Sequence, residues 1–167
     1  MAALTLALAQ ASCGYHAAGR GTAIPADVRT ISVAAFKNET SRFKIEQELT
    51  RAVVRELLTR TRFRVRPEGT PSDAVLTGTV IQFWSAPQLV ESTGGRTTAV
   101  SVNVRMRVRL TDNRTGRVLF ENPDYTFTES YEVSSEVSTY FEEGGAALQR
   151  LSRTFAAALV SAIVEAF

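Results

Sequence analysis

Residues 100–110, VSVNVRMRVRL, alternate strictly between apolar and polar side chains. All even positions from Val100 to Leu110 are apolar, and all odd positions between them carry Ser, Asn or Arg. A period of two residues is typical of a β-strand with one buried face and one solvated face. At about 3.4 Å per residue this strand would be roughly 35 Å long. The segment TDNRTGR follows it, with Gly116 at a position that tolerates positive φ, and predicts a hairpin.

The returning strand, VLFENPDYTFTES, changes its pattern part-way along. Val118 and Phe120 lie at even positions, whereas Tyr125 and Phe127 lie at odd positions. Because successive side chains of a strand point to opposite faces, a regular strand would separate these two pairs. A β-bulge near Pro123 would return all four side chains to one face, and we therefore predict a bulge there.

Other segments predict further strands. TISVAAF (30–36) is an apolar run of the kind found in strands buried on both faces. RFRVRP (62–67) and DAVLTGTVIQFW (73–84) are also strand candidates, and Gly78 in the middle of the latter suggests a bulge or a close backbone approach. Residues 85–97, SAPQLVESTGGRT, predict a turn region.

Two segments have the three- and four-residue spacing of amphipathic helices. The apolar positions of the first are Ile45, Leu49, Ala52, Val53 and Leu57. Those of the second are Leu148, Leu151, Phe155, Leu159, Ala162 and Ile163. Thr139 and Glu142 resemble a capping box for the second helix, and Gly144 and Gly145 weaken its first turn, so we expect firm helix from about Ala146.

The order of elements is strand, helix, a run of long strands, and a final helix. Each helix has one apolar stripe, and the best-defined strand has one apolar face. We therefore predict an α+β fold in which two helices pack on one face of a mixed, mostly antiparallel sheet of four to five strands. Residues 30–167 would form this single domain.

The N-terminal segment contains Cys13, the only cysteine of the chain. Residues 1–12 are uncharged and largely apolar, and they are too few for the roughly 20 residues of a membrane-spanning helix. They are typical of a signal-peptide remnant. Ala11 and Ser12 directly before Cys13 resemble a bacterial lipobox, although Gln10 stands where lipoboxes usually carry Leu.

In a lipobox the cysteine thiol takes a diacylglyceryl group, and the new amine is acylated after cleavage. One acyl chain anchors a protein only marginally, so a triacylated Cys13 would satisfy the need for two or more chains. Gly14, in place of the Asp that marks inner-membrane retention, implies sorting to the outer membrane. Residues 13–29 contain three glycines and no periodic pattern, which predicts a lipidated tether.

Catalytic and metal-binding interpretations find little support in the sequence. His16 is the only histidine and lies beside the candidate attachment site Cys13, so no Ser-His-Asp or Cys-His set can form. A structural zinc site needs four ligands, and Cys13 with His16 cannot supply them. Glu142 and Glu143 are adjacent carboxylates, but adjacent residues on a helix point apart. We therefore expect a protein that is not an enzyme and uses neither a cofactor nor a metal.

The charges are distributed unevenly along the predicted hairpin. Arg96–Arg117 contains six arginines and one acid, whereas Val118–Glu143 contains seven acids and no basic residue. Arg105, Arg107 and Arg109 would lie about 7 Å apart on the solvated face of one strand. The overall formal charge of +2 does not by itself indicate a polyanionic partner.

Two interpretations of these arginines remain open. In the first, the hairpin neutralises its own charges; if Thr111 pairs with Arg117, then Arg107 faces Glu121. In the second, the arginines bind phosphates and acidic sugars, since the planar guanidinium matches phosphate oxygens. The candidate binding residues are Arg96, Arg105, Arg107 and Arg109. A nucleic-acid site would need stacking aromatic side chains, and 101–109 supply none.

The ordered segments CGYH, IPADVRTISVAAFKNET, EQELTRAVVRELLTRTRFRV, DAVLTGTV, VNVRMRVRLTDNRTGRVLFEN and YEVS resemble the LptE family of lipopolysaccharide-assembly lipoproteins. The resemblance covers nearly all of residues 13–167. It implies an outer-membrane lipoprotein on the periplasmic side that plugs the barrel protein LptD and binds lipopolysaccharide during its delivery. It also implies that lipopolysaccharide is the anion bound by the candidate arginines.

A rival interpretation is a periplasmic lipoprotein accessory of a curli-assembly or pilotin-type secretion system. ISVAAFKNETS and LTRAVVRELLTRTRFRV also resemble the opening of such secretion components. That function would be subunit recruitment without lipopolysaccharide, and the two possibilities stay open on the sequence alone.

Overall fold

Three long antiparallel strands dominate the computed structural model, which describes residues 20–21, 24–90, 97–132 and 137–165. The strands, numbered in chain order, are β1 (Arg20–Gly21), β2 (Thr30–Val33), β3 (Lys37–Asn38), β4 (Arg64–Arg66), β5 (Ala74–Val90), β6 (Thr97–Asp112) and β7 (Val118–Glu132). The helices are α1 (Ile45–Arg60) and α2 (Val137–Glu165).

The sheet has the order β1-β7-β6-β5-β2-β4, with β3 also paired to β5. β5, β6 and β7 form an antiparallel meander, whereas β2 pairs in parallel with both β4 and β5. The parallel pairing of β2 and β4 follows from the crossover through α1. The predicted α+β class is confirmed. The predicted count of four to five strands is too low for the described part of the chain, because the two-residue strands β1 and β3 were not predicted.

Both helices cover the same face of the sheet. The buried side of α1 consists of Ile45, Leu49, Val53 and Leu57, as its periodicity predicts. The buried side of α2 includes Leu151, Phe155, Leu159 and Ile163. These side chains share one core with the even-numbered residues of β6 from Val102 to Leu110. The opposite face of the sheet is covered by neither helix, and we call it the open face.

The β-bulge predicted near Pro123 is present. Tyr125 pairs with Met106 and Asn122 pairs with Val108, so two residues of β7 oppose Arg107 alone. The bulge turns Tyr125 and Phe127 toward α2, where each ring makes an edge contact with the ring of Phe155. Pro123 has no N–H to donate, and the bulge is a position where this loss is tolerated.

A second bulge lies in β5, three residues beyond Gly78, where the sequence suggested a bulge or a close backbone approach. Val80 pairs with Met106 and Gln82 pairs with Arg105, which leaves Ile81 as an extra residue. One extra residue reverses the parity of everything beyond it. Val80 therefore faces the core as an even-numbered residue, whereas beyond the bulge it is Phe83 that packs against the core.

The turn predicted over 85–97 is wrong for its first residues, which belong to β5. β5 continues through Pro87 to Val90, and residues 91–96 lie outside the described part of the chain. β3 and β2 pair with β5 no further than Val80, so the remainder of β5 has a strand neighbour on only one side among the described residues. An edge strand can accept a proline, which explains why Pro87 does not end β5.

The second helix also starts earlier than predicted. α2 begins at Val137, so Thr139 lies inside the helix and the capping box that it suggested is wrong. Gly144 and Gly145 are helical as well, although firm helix was expected only from about Ala146. Neither described helix has a stretch that is long and apolar enough to cross a membrane.

The packed domain begins before Thr30. Val28 is buried in the core, and β1 pairs with Phe120 and Glu121 of β7, so part of the segment predicted as a tether contributes to the domain. Val28 adds apolar contacts that a free linker would not make. Residues 1–19, which include the predicted signal-peptide remnant and Cys13, lie outside the described residues.

Candidate ligand surface on the open face of the sheet

Three arginines of β6 project from the open face at alternate positions. Arg105, Arg107 and Arg109 are exposed, whereas the intervening Met106 and Val108 are buried against the helices. We call these three residues the arginine stripe. The structure therefore places them together as the alternating pattern predicts. Arg96, the fourth candidate, lies outside the described residues.

Every arginine of the stripe has a carboxylate partner. Arg109 Nη2 lies 2.5 Å from Glu121 Oε1. Arg107 Nη2 donates to both carboxylate oxygens of Glu39, at 3.0 and 3.1 Å. Arg105 Nε donates to Asp124 Oδ1. The predicted pairing of Arg107 with Glu121 is wrong.

The hairpin register explains that error. Thr111 pairs with Val118 rather than with Arg117, and Leu119 is an extra residue opposite the Leu110–Thr111 step. This register places Glu121 opposite Arg109. The turn itself follows the prediction, because Gly116 has a φ of +70° and its N–H donates to the Asp112 carbonyl.

The stripe and its three partners sum to zero formal charge, because three arginines meet three carboxylates. The arginine side chains are 44% to 54% exposed, so water screens each ion pair. A shallow groove of 240 Å³ crosses this region, and its lining includes Thr77, Thr79, Arg107, Arg109 and Glu121. The groove offers both charged and hydroxyl groups to a ligand.

The open face changes character farther along β6. Ser101 and Asn103 are buried, contrary to the expectation that all odd positions are solvated. The Thr128 hydroxyl donates to Asn103 Oδ1 at 2.8 Å, and the Ser101 hydroxyl donates to the Ala86 carbonyl at 3.3 Å. This part of the face is therefore an ordered polar network without charge.

Trp84 lies opposite Asn103 on β5 and shares the open face with it. It is partly exposed and does not belong to the core, whereas its neighbour Phe83 packs against the core. Trp84 was not predicted on this face, because without the bulge at Ile81 its even number would have placed it on the helix side. β6 has no aromatic residue, but Trp84 on the neighbouring β5 gives the open face one, diagonally across the two strands from Arg105.

Two carboxylates with lowered pKa values, Asp73 and Asp112, lie at the hairpin end of the sheet. Asp73 Oδ2 accepts from the Arg29 N–H, the Thr30 N–H and the Thr30 hydroxyl, and these bonds hold its pKa below the usual range. The Arg114 N–H lowers the pKa of Asp112 in the same way. Both side chains hydrogen-bond to backbone N–H groups of neighbouring segments. The lowered pKa values therefore arise from bonds that hold the fold together.

Solved structures of similar fold come from several bacteria. Rare lipoprotein B from Shewanella oneidensis has 13% identity and a TM-score of 0.56, with 82% of this chain and 95% of that chain covered. A Xanthomonas campestris protein has 16% identity and a TM-score of 0.55, with coverages of 88% and 91%. The PelC dodecamer from Paraburkholderia phytofirmans has 15% identity and a TM-score of 0.51, with coverages of 86% and 91%. At these identities the likeness shows the fold alone.

No curated protein sequence matches the chain. The family model LptE, described as lipopolysaccharide-assembly, matches residues 28–163. The match begins at the buried Val28, includes α1 and the sheet from β2 to β7, and ends at the buried Ile163 of α2. It confirms the resemblance found in the sequence. The chain therefore belongs to the LptE family of lipopolysaccharide-assembly lipoproteins of the outer membrane.

Proposed function

We propose that this protein is anchored through Cys13 at the periplasmic face of the outer membrane, assembles with the LptD barrel, and helps to deliver lipopolysaccharide to the outer leaflet. The family match over residues 28–163 carries the proposal. The same match favours this function over a curli or pilotin-type accessory role. The protein performs no bond-making chemistry in this proposal; it binds and positions.

The anchor is a thioether-linked lipid on Cys13. Each buried methylene contributes about 0.8 kcal/mol, and several chains together hold a protein at a membrane stably. Radiolabelled palmitate should label the wild-type protein in cells but not Cys13→Ala. Ser12→Ala is the matched control, because alanine preserves a small residue before the cysteine, and it should be labelled like the wild type. Equal labelling of the Cys13→Ala protein would refute the anchor.

The arginine stripe, with Arg96, is the proposed contact for lipopolysaccharide phosphates. Its exposure and the adjoining groove support this role. The existing ion pairs are no obstacle, because an exposed pair contributes only about 0–1 kcal/mol. A phosphate can therefore replace a carboxylate at a guanidinium with little loss, and the two open interpretations of the stripe are compatible.

Co-purification from membranes tests the assembly step. A tagged full-length chain should retain a barrel of the LptD family through detergent extraction. Depletion of the protein in cells should sensitise them to large hydrophobic antibiotics. Lipopolysaccharide should then fail to reach the outer leaflet of the outer membrane. A tagged chain that instead retains secretion components, in cells whose barrier stays intact after depletion, would establish the curli or pilotin-type function.

A further inference from the structure

Trp84 is the only tryptophan of the chain, and it lies on the polar face of the sheet. Large aromatic side chains usually bury most of their surface, so a partly exposed indole among polar neighbours indicates a surface that binds a ligand. Trp84 does not contribute to the core, because the adjacent residue Phe83 is the one whose side chain packs against the core. Trp84 thus belongs to the same surface as the arginine stripe.

The groups around Trp84 are fixed and chemically varied. Asn103 is its cross-strand partner, which places the two Cβ atoms about 5 Å apart. Asn103 is held on one side by the Thr128 hydroxyl and on the other by the Ser101 hydroxyl, at 2.8 and 3.4 Å. Arg105, with its partner Asp124, lies next along β6. An aromatic plane is therefore bordered by an amide, hydroxyls and an ion pair.

We propose that Trp84 is the stacking platform of a saccharide subsite, in which one pyranose ring of the ligand lies on the indole. A pyranose ring has a face of C–H groups and a rim of hydroxyls. The indole matches the first, while the exposed Thr128 hydroxyl, which the buried Asn103 positions, and the Arg105–Asp124 pair match the second. This subsite rests on the proposed function and names the part of lipopolysaccharide that it recognises, the sugar backbone next to the phosphates.

The charge balance of the arginine stripe favours a phosphorylated sugar over a simple polyanion as the ligand. A surface for a polyanion would present unpaired cations, whereas each arginine of the stripe has a carboxylate. Paired guanidinium and carboxylate groups supply both donors and acceptors, as a polyhydroxylated ligand requires. The spacing along β6 suits an extended ligand, since Asn103 and Arg109 are six residues or about 20 Å apart.

Tryptophan fluorescence reports this subsite directly, because the full chain has no other tryptophan. The probe is deacylated lipopolysaccharide, a soluble phosphorylated oligosaccharide. It should shift the emission of Trp84 saturably, and the same oligosaccharide after dephosphorylation should still do so. Inorganic phosphate at equal ionic strength should produce no shift. A shift with phosphate alone, or no saturable shift with either saccharide, would overturn the proposal.

Substitutions test the stacking itself. Trp84→Leu should weaken saccharide binding by about tenfold in calorimetry, whereas Trp84→Phe, which keeps an aromatic plane, should stay within about threefold of the wild type. Phe83→Leu is the matched control, because it removes an aromatic ring from the adjacent, inward-facing position. It should lower thermal stability and leave saccharide affinity unchanged.

A second variant tests the subsite even if Trp84→Leu does not fold. Thr128→Val preserves side-chain shape and removes the hydroxyl that holds Asn103, so it should weaken the saccharide by about threefold. Unchanged affinity in both Thr128→Val and Trp84→Leu would refute the subsite. If Trp84→Leu instead reduces only co-purification of the barrel, the surface binds protein and the saccharide proposal fails.

Different results would contradict the saccharide subsite and the proposed function. Intact lipopolysaccharide that binds without involving Trp84, together with barrel co-purification, would remove the subsite and leave the function. Saccharide binding through Trp84 with no barrel in the eluate would contradict the assembly step alone.

Discussion

The ring of Phe36 lies directly over the backbone of Gly78. A Cβ atom on Gly78 would be 2.8 Å from Phe36 Cδ1 and 3.0 Å from Cε1, closer than side-chain atoms pack. The close backbone approach suggested by this glycine is therefore confirmed, and the bulge occurs three residues later at Ile81. Phe36 joins α1 to the middle of β5, since its N–H donates to the Thr50 hydroxyl at 3.1 Å and its ring lies against Gly78.

Gly78→Ala should destabilise the protein by about 1–3 kcal/mol, because the added methyl group overpacks against the Phe36 ring. The free energy of unfolding in urea measures this. Thr77→Ala, at the exposed neighbouring position, should stay within about 0.5 kcal/mol of the wild type. In a Phe36→Leu background the cost of Gly78→Ala should shrink; an equal cost in both backgrounds would contradict the steric explanation.

Phe155→Ala should cost about 3–5 kcal/mol of unfolding free energy, because the ring is fully buried between α2 and the bulged part of β7. Thermal unfolding followed by circular dichroism gives the value. Val164→Ala is the control on the same helix, since Val164 is 45% exposed and its loss should cost little. Comparable losses for the two variants would mean that Phe155 is not a central packing residue.

The Asp73 carboxylate predicts an acid-dependent loss of stability. Its hydrogen bonds to Arg29 and Thr30 hold the pKa below the ordinary 3.8. A lowered pKa in the folded state stabilises the protein above the unfolded-state value and loses that contribution as the pH falls through the folded value. Asp73→Asn should therefore cost about 1 kcal/mol near neutral pH and progressively less below about pH 4. Urea unfolding of both proteins across this range checks the convergence; a constant difference would exclude a role for the charge.

Tyr125 predicts the opposite behaviour at high pH. Burial raises the pKa of its phenol to about 12. Because the pKa is raised in the folded state, the phenol does not affect stability below its ordinary pKa of 10. Part of the stability is then lost as the pH rises from 10 through the folded-state value of about 12. Tyr125→Phe cannot ionise, so this variant should lose less stability than the wild type over that interval. Parallel pH profiles of the two proteins in urea unfolding would show that the phenol is not the cause.

The arginine stripe predicts a loss of binding without a loss of fold. Replacing Arg105, Arg107 and Arg109 together by Gln should weaken binding of purified lipopolysaccharide by about tenfold or more, because charge-assisted hydrogen bonds are removed. Added salt should weaken the wild type more than this triple variant. Each lost exposed pair should change stability by no more than about 1 kcal/mol.

The matched control for the stripe replaces Arg51, Arg55 and Arg60 of α1 by Gln. Arg51 and Arg60 are paired with Glu48 and Glu56, so charge and ion pairs change similarly on a different surface. This control should bind lipopolysaccharide like the wild type. Unchanged affinity and lowered stability in the stripe variant would assign the arginines a structural role. Unchanged affinity and stability would indicate a docking face for the barrel, which a pull-down with the same variant would detect.

Local patterns in the sequence determined much of the architecture. The alternation along β6, the apolar stripe of α1 and the change of parity before Tyr125 each depend on residues close together in the chain. Period-two burial, period-3.6 burial and a bulge beside a proline are consequences of backbone geometry, so short-range reasoning finds them. The position of Gly116 in its turn belongs to the same class.

The tertiary structure alone decided which groups meet on the open face. Arg107 binds Glu39, 68 residues away, because the pairing of β3 with β5 brings the residue that follows β3 to the edge of the stripe. Trp84 reaches the same face because the bulge at Ile81 gains one residue. Both outcomes depend on strand register between distant segments, and a shift of one residue reverses the face of every side chain beyond it. Composition and spacing within one segment do not determine that register. The arginines of the stripe could therefore be predicted from the sequence, whereas their carboxylate partners depend on the tertiary structure.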